Sequence, residues 1–240
     1  RGGASQIKIM VGGGVASDFD PLYADTMSED EIRAIVNAAA DFGTYACAHA
    51  STDSSINRVL DAGGRWIEHG FLASVEPLLR MKELGAVLSL QPYAAVEIFK
   101  EPEKLAGFNA ENIRKARKVR DGADNMLQLV AKHKVETFAG ADLWQEGVIT
   151  KTPEDMVLRK RWFKDVEILR QNTSYAAKWL AKSGTKNPYR EGSLGVIEEG
   201  AYADLLLVEG NPVKDVGILA DWQINIKLIM KDGEFYKNSP

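Results

Sequence analysis

Two of the three histidines in this chain stand in closely similar settings. His49 ends the apolar run of YACAHA (45–50), and His69 sits in IEHG (67–70), where Gly70 closes a short apolar run. Neither has a helix around it to account for an imidazole. Lys8 between Ile7 and Ile9, Gln91 after another apolar run, and Asp142 after Gly140-Ala141 hold comparable places. Imidazole nitrogens, carboxylate oxygens and a lysine open to modification are the donors that Zn²⁺ or a similar cation takes. Each has a competing explanation. Lys8 in a buried strand would be costly as a free ammonium ion, so an ion pair with a carboxylate would account for it. Asp142 could cap a helix, but the next helix signal, Thr152-Pro153-Glu154, begins ten residues on. His133, between Lys132 and Lys134, suits a solvent-facing helix end where the dipole favours cations.

These residues need a scaffold that delivers strand ends to one edge. Strands are expected at Ile7–Val11, Thr44–His49, Trp66–His69, Ala86–Leu90 and Val135–Gly140. Helices are expected from Ser28 to about Phe42 (with Glu31 three residues after Ser28 as a capping box), at Ser51–Ala62, Ser74–Leu84, about Ala110–Lys132 and about Pro153–Gln171. A polar stretch fills Tyr93 to Asn109. Strand–helix alternation with short connections calls for a parallel α/β sheet, whose active sites lie at the C-terminal edge. Doubly wound sheets and (β/α)8 barrels share this rhythm, and periodicity does not choose between them. Gly12-Gly13-Gly14 lacks a following Lys-Ser/Thr and any GxGxxG spacing, so it reads as a close backbone approach rather than a phosphate loop. After about residue 182 the composition turns Gly-rich. Strands at Ala203–Val208, Ile224–Met230 and Glu234–Tyr236, the last two joined at Asp232-Gly233, suggest a small β element. The expected division is 1–183 and 184–240.

Composition narrows the classes. The 240 residues are 45% hydrophobic and 27% charged, as in a globular protein, and 30 Lys plus Arg against 34 Asp plus Glu leave a net charge of −4. No basic field favours nucleic acid or an anionic membrane. Cys47 is the single cysteine, so no internal disulfide or paired-cysteine metal site can form, and it reads as a small buried hydrophobe. No apolar stretch reaches the roughly 18 residues of a membrane helix. The chain opens at Arg1, already within ten residues of a strand and with no signal-peptide pattern, which reads as a piece of a longer polypeptide; the compartment is left unassigned.

The segments QIKIMVGGG (6–14), YACAHA (45–50), IEHG (67–70), FAGADLW (138–144), NTSYAAKWL (172–180), GSLGVIEEGAYADLLLVEGNP (192–212) and IMKDGEF (229–235) together resemble the amidohydrolase superfamily, in its imidazolonepropionase-like and prolidase-like group. The resemblance implies a (β/α)8 TIM-like barrel, of which strands four to eight are here, with a small β-sandwich built from both chain ends. It implies two divalent ions, zinc by type. Lys8 matches the strand-four lysine, N6-carboxylated to bridge them; His49 and His69 match ligands of the second ion. Asp142 matches the ligand and general base of strand eight. The implied reaction is metal-assisted hydrolysis of an amide, peptide or cyclic amide bond in a small molecule or dipeptide, with Tyr93 and Trp144 as pocket candidates and Arg114, Arg117 or Arg120 as a further cation for a substrate carboxylate. Two departures stand out. Gly140-Ala141-Asp142 replaces the usual Gly-Thr-Asp, and no His-x-His pair occurs anywhere. The expected partner is therefore an N-terminal segment carrying strands one to three; homo-oligomerisation is left open. The alternatives are an inactive fragment or scaffold subunit, and a flavodoxin-like ligand-binding sheet.

Overall fold

The alternation of apolar runs and amphipathic stretches folds into a parallel sheet flanked by helices. The computed structural model describes residues 3–143 and 149–239. Two compact units divide the chain, residues 1–140 and 141–240.

In the first unit, β1 (Ile7–Met10), β2 (Ala46–Ala50), β3 (Trp66–His69), β4 (Val87–Leu90) and β5 (Thr137–Ala139) form one sheet in the order 1-2-3-4-5. All four pairings are parallel. A strand order that never reverses is an arc of a singly wound α/β sheet. It lacks the topological switch point of a flavodoxin-like sheet, and so excludes that alternative. The intervening helices are α1 (Glu29–Asp41), α2 (Asp53–Asp61), α3 (Val75–Glu83) and α4 (Ala110–His133). Ser28 and Glu31 form the expected capping box on α1; Thr52 caps α2 and Asn109 caps α4 in the same way. The polar stretch before α4 contains helical turns at Tyr93–Glu97, Ile98–Lys100 and Pro102–Lys104.

The pleat sends alternate residues to opposite faces. Ile9, Ala48, Ile67 and Leu88 share one register row and are buried, which is why these strands read as near-continuous apolar runs. The opposite face carries Lys8, Cys47 and Trp66 in one row and His49, Glu68, Ser89 and Phe138 in the next. Cys47 is buried as expected, and burial, followed by the charge of Glu68, raises its thiol pKa to about 11. Lys8 corrects an expectation. It is exposed, and no ion pair forms to it among the described residues. β1 is an edge strand, so only Ile9 is enclosed while Lys8 and Met10 lie open.

The loop after β1 is clamped by α4. The Lys115 ammonium, 3% exposed, donates to the carbonyls of Gly14 (2.9 Å) and Ser17 (2.8 Å) and to the Asp20 carboxylate (3.0 Å). Asn112 donates to the carbonyls of Val15 and Ser17, and Asn109 to Asp18. A Cβ on Gly13 would run into the Asp20 and Pro21 carbonyl oxygens, so close approach explains that glycine, as the sequence suggests.

The second unit contains α5 (Thr152–Leu158), α6 (Asp165–Asn172), α7 (Ser174–Leu180), an antiparallel sheet of β6 (Leu205–Val208), β7 (Ile226–Lys231) and β8 (Glu234–Asn238), and a short α8 (Trp222–Asn225) before β7. The single helix expected over 153–171 is broken. Arg159, fully buried, donates to Asp155 (2.7 Å) and Gln171 (3.1 Å), which requires α6 to fold back towards α5. Ile168, Val216, Leu219 and Ile226 form the core there. The β7–β8 hairpin turns at Asp232 (φ 53°) and Gly233 (φ 79°), the left-handed pair a two-residue hairpin favours.

Two measurements test the clamp. Lys115→Met removes the cation that pairs with Asp20 and one donor from each of two carbonyls, and is expected to lower stability by about 3 kcal/mol in urea denaturation. For Asp20, burial opposes ionisation, but the Gly14 N–H, the Ser17 hydroxyl and Lys115 overcome it and hold its pKa below the usual value. A depressed folded-state pKa stabilises above the unfolded carboxylate pKa and is lost as pH falls through the folded value. The melting-temperature gap between wild type and Asp20→Asn should therefore narrow below about pH 4.

Candidate functional site

β2 and β3 position the two imidazoles. In the parallel register Met10 faces His49, His49 faces Glu68, and Ala50 faces His69. Simple alternation would send His69 to the same face as Ala50, away from His49. His69 instead has a φ of 77°, in the left-handed region that histidine visits more readily than most residues. Its ring packs edge-on against His49, with centroids 4.5 Å apart, and lies 5.8 Å from Phe71. Gly70 follows, also left-handed, and its N–H bonds the Ala50 carbonyl at 3.1 Å.

His49 is anchored through Nε2 to the Gly13 carbonyl at 3.2 Å. That oxygen is an acceptor, so in the neutral ring Nε2 carries the proton and Nδ1 is the electron-pair donor. Burial is the main reason that the pKa of His69 lies well below its ordinary value; the nearby His49 and Lys8 add to the effect, and Gln91 opposes it. A neutral imidazole is the form that binds a cation.

Beneath the imidazoles is a carboxylate that the sequence reading passes over. Glu68 accepts from Trp66 Nε1 at 2.7 Å and from Gln91 Nε2 at 3.2 Å, and Gln91 Nε2 also donates to Ser89 Oγ at 2.8 Å. The signal for Glu68 lies in the register, which a single strand does not reveal. Below it, Tyr45 stacks on Trp66 (4.7 Å) and Trp66 meets Phe138 edge-on (4.8 Å), an apolar floor that pushes the Tyr45 phenol pKa upward through burial.

The remaining candidates fall differently. Asp142 is exposed, three residues beyond β5, with a left-handed φ of 49°. It belongs to the second unit, and α5 starts at Thr152, too far on for Asp142 to cap it. Tyr93 opens the helical turn after β4 and is half-buried. Trp144 lies outside the described residues. Arg114, Arg117 and Arg120 are paired with Glu111, Glu103 and Asp121 at the surface, the arrangement of a solvated helix face. Among the described residues no three His, Cys, Asp or Glu side chains come together as a metal-holding group.

A parallel α/β sheet with imidazoles at the C-terminal ends of adjacent strands puts its candidate chemistry at the edge where barrel enzymes carry theirs. The profile of the Amidohydrolase family matches residues 1–235, and the chain belongs to that family. It is 27% identical over 238 residues to ochratoxinase of Aspergillus niger, covering 99% of this chain and 47% of that protein. Among solved structures it is similar to a prolidase complexed with N-methylphosphonate-L-proline (TM-score 0.86, 34% identity, 99% of this chain and 56% of that one). It is also similar to a Xaa-Pro dipeptidase with methionine bound in the active site (TM-score 0.81, 28% identity, 98% and 55%). The chain spans about half the length of these relatives.

Because Gly13 has no room for a side chain and its carbonyl holds His49, Gly13→Ala should displace that anchor. The expected result is a loss of about 1 to 3 kcal/mol in thermal unfolding, with a shift of the His49 ring resonances in NMR spectra.

Proposed function

We propose that this chain supplies the C-terminal part of a metal-dependent amidohydrolase that cleaves a C–N bond of a dipeptide or other small amide, with Xaa-Pro dipeptides as the first substrates to test. The observation that carries the reading is the His49–His69 pair, packed edge-on with burial holding the His69 pKa low, on the face that also bears Lys8, in a chain of the amidohydrolase family. The donors suit a zinc pair: two imidazoles, a carboxylate at Asp142, and a Lys8 amine open to reaction with CO2. Starting from the ammonium form, that reaction forms an N–C bond and releases two protons, turning a cation into a carbamate anion that would offer oxygen donors to the metals. In this reading Lys8, His49, His69 and Asp142 hold the metals. A bound divalent ion supplies Lewis acidity, polarising the carbonyl and lowering the pKa of water.

The residues then have separate tasks. Asp142 accepts the proton of the attacking water and passes it to the leaving amine. Lys8, as carbamate, and the imidazoles fix the reacting centre at the sheet edge, and Tyr93 and Trp144 contact the substrate. Residues 1–183 form the last five strands and helices of a barrel, and 184–240 part of a composite sandwich. The open edge at β1, where Met10 is 49% exposed, is where a segment bearing strands one to three would pair. The second reading, a scaffold without catalysis, draws on the lack of any His-x-His in these 240 residues.

The test uses the full-length protein. Metal analysis should find divalent ions, and ¹³CO2 labelling should give a carbamate signal that Lys8→Met removes. Asp142→Asn should lower kcat on an Xaa-Pro dipeptide by roughly 10² to 10⁴-fold with an unchanged circular dichroism spectrum. Full turnover in Asp142→Asn sinks the role of that carboxylate, and a metal-free, carbamate-free protein favours the scaffold.

A further inference from the structure

The loop between β1 and α1 grips His49 at two points. The His49 carbonyl accepts from the N–H groups of Val11 (3.0 Å) and Gly12 (3.2 Å), and its ring Nε2 meets the Gly13 carbonyl at 3.2 Å. The direction of that carbonyl is a property of the Gly13–Gly14 peptide unit, which is planar and trans, so its C=O and the Gly14 N–H point opposite ways. Between two glycines such a unit would rotate freely. Here both ends of Gly14 are held. Its N–H donates to Asp20 Oδ2 at 2.9 Å, and its carbonyl accepts from Lys115 at 2.9 Å. Lys115 also pairs with Asp20 Oδ1 at 3.0 Å, and so fixes the carboxylate that fixes the peptide. The return limb is pinned separately: the Thr26 N–H bonds the Val11 carbonyl (2.9 Å), and Arg58 of α2 pairs with Asp25 (2.9 Å). Phe19, exposed between Asp18 and Asp20, has a left-handed φ of 64°. That angle is strained for an aromatic residue and persists because Asn109 holds Asp18 and Lys115 holds Asp20.

We propose that Asp20 and Lys115 are positioning residues that lock the Gly13–Gly14 peptide plane, so that the Gly13 carbonyl takes the Nε2 proton of His49 and the ring presents Nδ1 to a metal ion. This role rests on the metal reading above and deepens it. An imidazole that gives one nitrogen to a cation keeps its proton on the other and needs an acceptor for it. A flipped Gly13–Gly14 peptide would turn an N–H towards the ring instead and favour the opposite tautomer. The ion pair selects between the two.

The experiment uses full-length protein labelled with ¹⁵N-histidine, in the metal-free state and during Co²⁺ titration. Wild type should show neutral His49 as one tautomer, with the proton on Nε2. Asp20→Ala should give a mixture of tautomers at His49 and bind Co²⁺ about 10-fold more weakly, with Lys8, His49, His69 and Asp142 intact. Lys115→Met should do the same. The double variant Asp20→Ala with Lys115→Met removes both charges together, so it leaves no unpaired ion and should unfold at a higher temperature than Lys115→Met. Its His49 should nevertheless stay mixed, because the peptide is still unheld; a merely structural role would return the single tautomer with the stability. A single Nε2–H tautomer and wild-type affinity in the double variant overturn the lock, and so does a wild type whose His49 is mixed or protonated on Nδ1. If wild type takes up no Co²⁺, the metal reading fails by itself, and the metal-free tautomers still decide whether the lock exists.

Discussion

Everything at this sheet edge depends on the parallel pairing of β2 with β3 and on one backbone angle at its end. The register sets His49 beside Glu68, and alternation alone would leave His69 on the far face. The left-handed turn at His69 brings its ring back to His49, a conformation that costs of order 1 to 3 kcal/mol and persists only where surroundings impose it. Here the Gly70 N–H on the Ala50 carbonyl, the Leu72 N–H on the Ser51 carbonyl and the packing of Gly70 against Leu88 impose it. Strain kept next to paired imidazoles is the kind of local exception that functional sites carry.

The second dependence runs through the loop after β1. Gly13 presents its carbonyl to His49 only because that loop is pressed close to Asp20 and Pro21, and the loop stays there because Lys115 and Asn112 reach it from α4. A helix distant in sequence thus sets the orientation of a strand-end imidazole. A buried ammonium with three oxygen acceptors is well satisfied, whereas losing one partner would leave a charge in a dry place. The clamp is accordingly all or nothing, which favours a single loop geometry.

Much of this can be read from the chain alone, and the rest cannot for definite reasons. The strand ends at His49 and His69, the capping box at Ser28 and the Asp232-Gly233 hairpin follow from local patterns that local forces decide. The break between α5 and α6 does not, because the amphipathic pattern continues through it and only the buried Arg159 with its two partners reveals the turn. Lys8 between two isoleucines reads as buried, yet exposure depends on what stands beside the strand, and an edge position is not written in the strand itself. Glu68 becomes visible as part of the site only when three strands are in register.

The face of the sheet is divided by chemistry along the strands. Tyr45, Trp66 and Phe138 make an aromatic layer towards the strand starts, and Glu68, Ser89, Gln91 and the two imidazoles lie towards the ends. Trp66 belongs to both, apolar in its rings and a donor through Nε1 to Glu68. An aromatic floor lowers the local dielectric, so each hydrogen bond above it is strengthened and each unmet polar atom is more costly. In such a place the unmet Gln91 oxygen is not neutral filler. Its orientation follows from Glu68, and the orientation of Glu68 follows from Trp66, so the aromatic layer sets how the polar groups above it are turned.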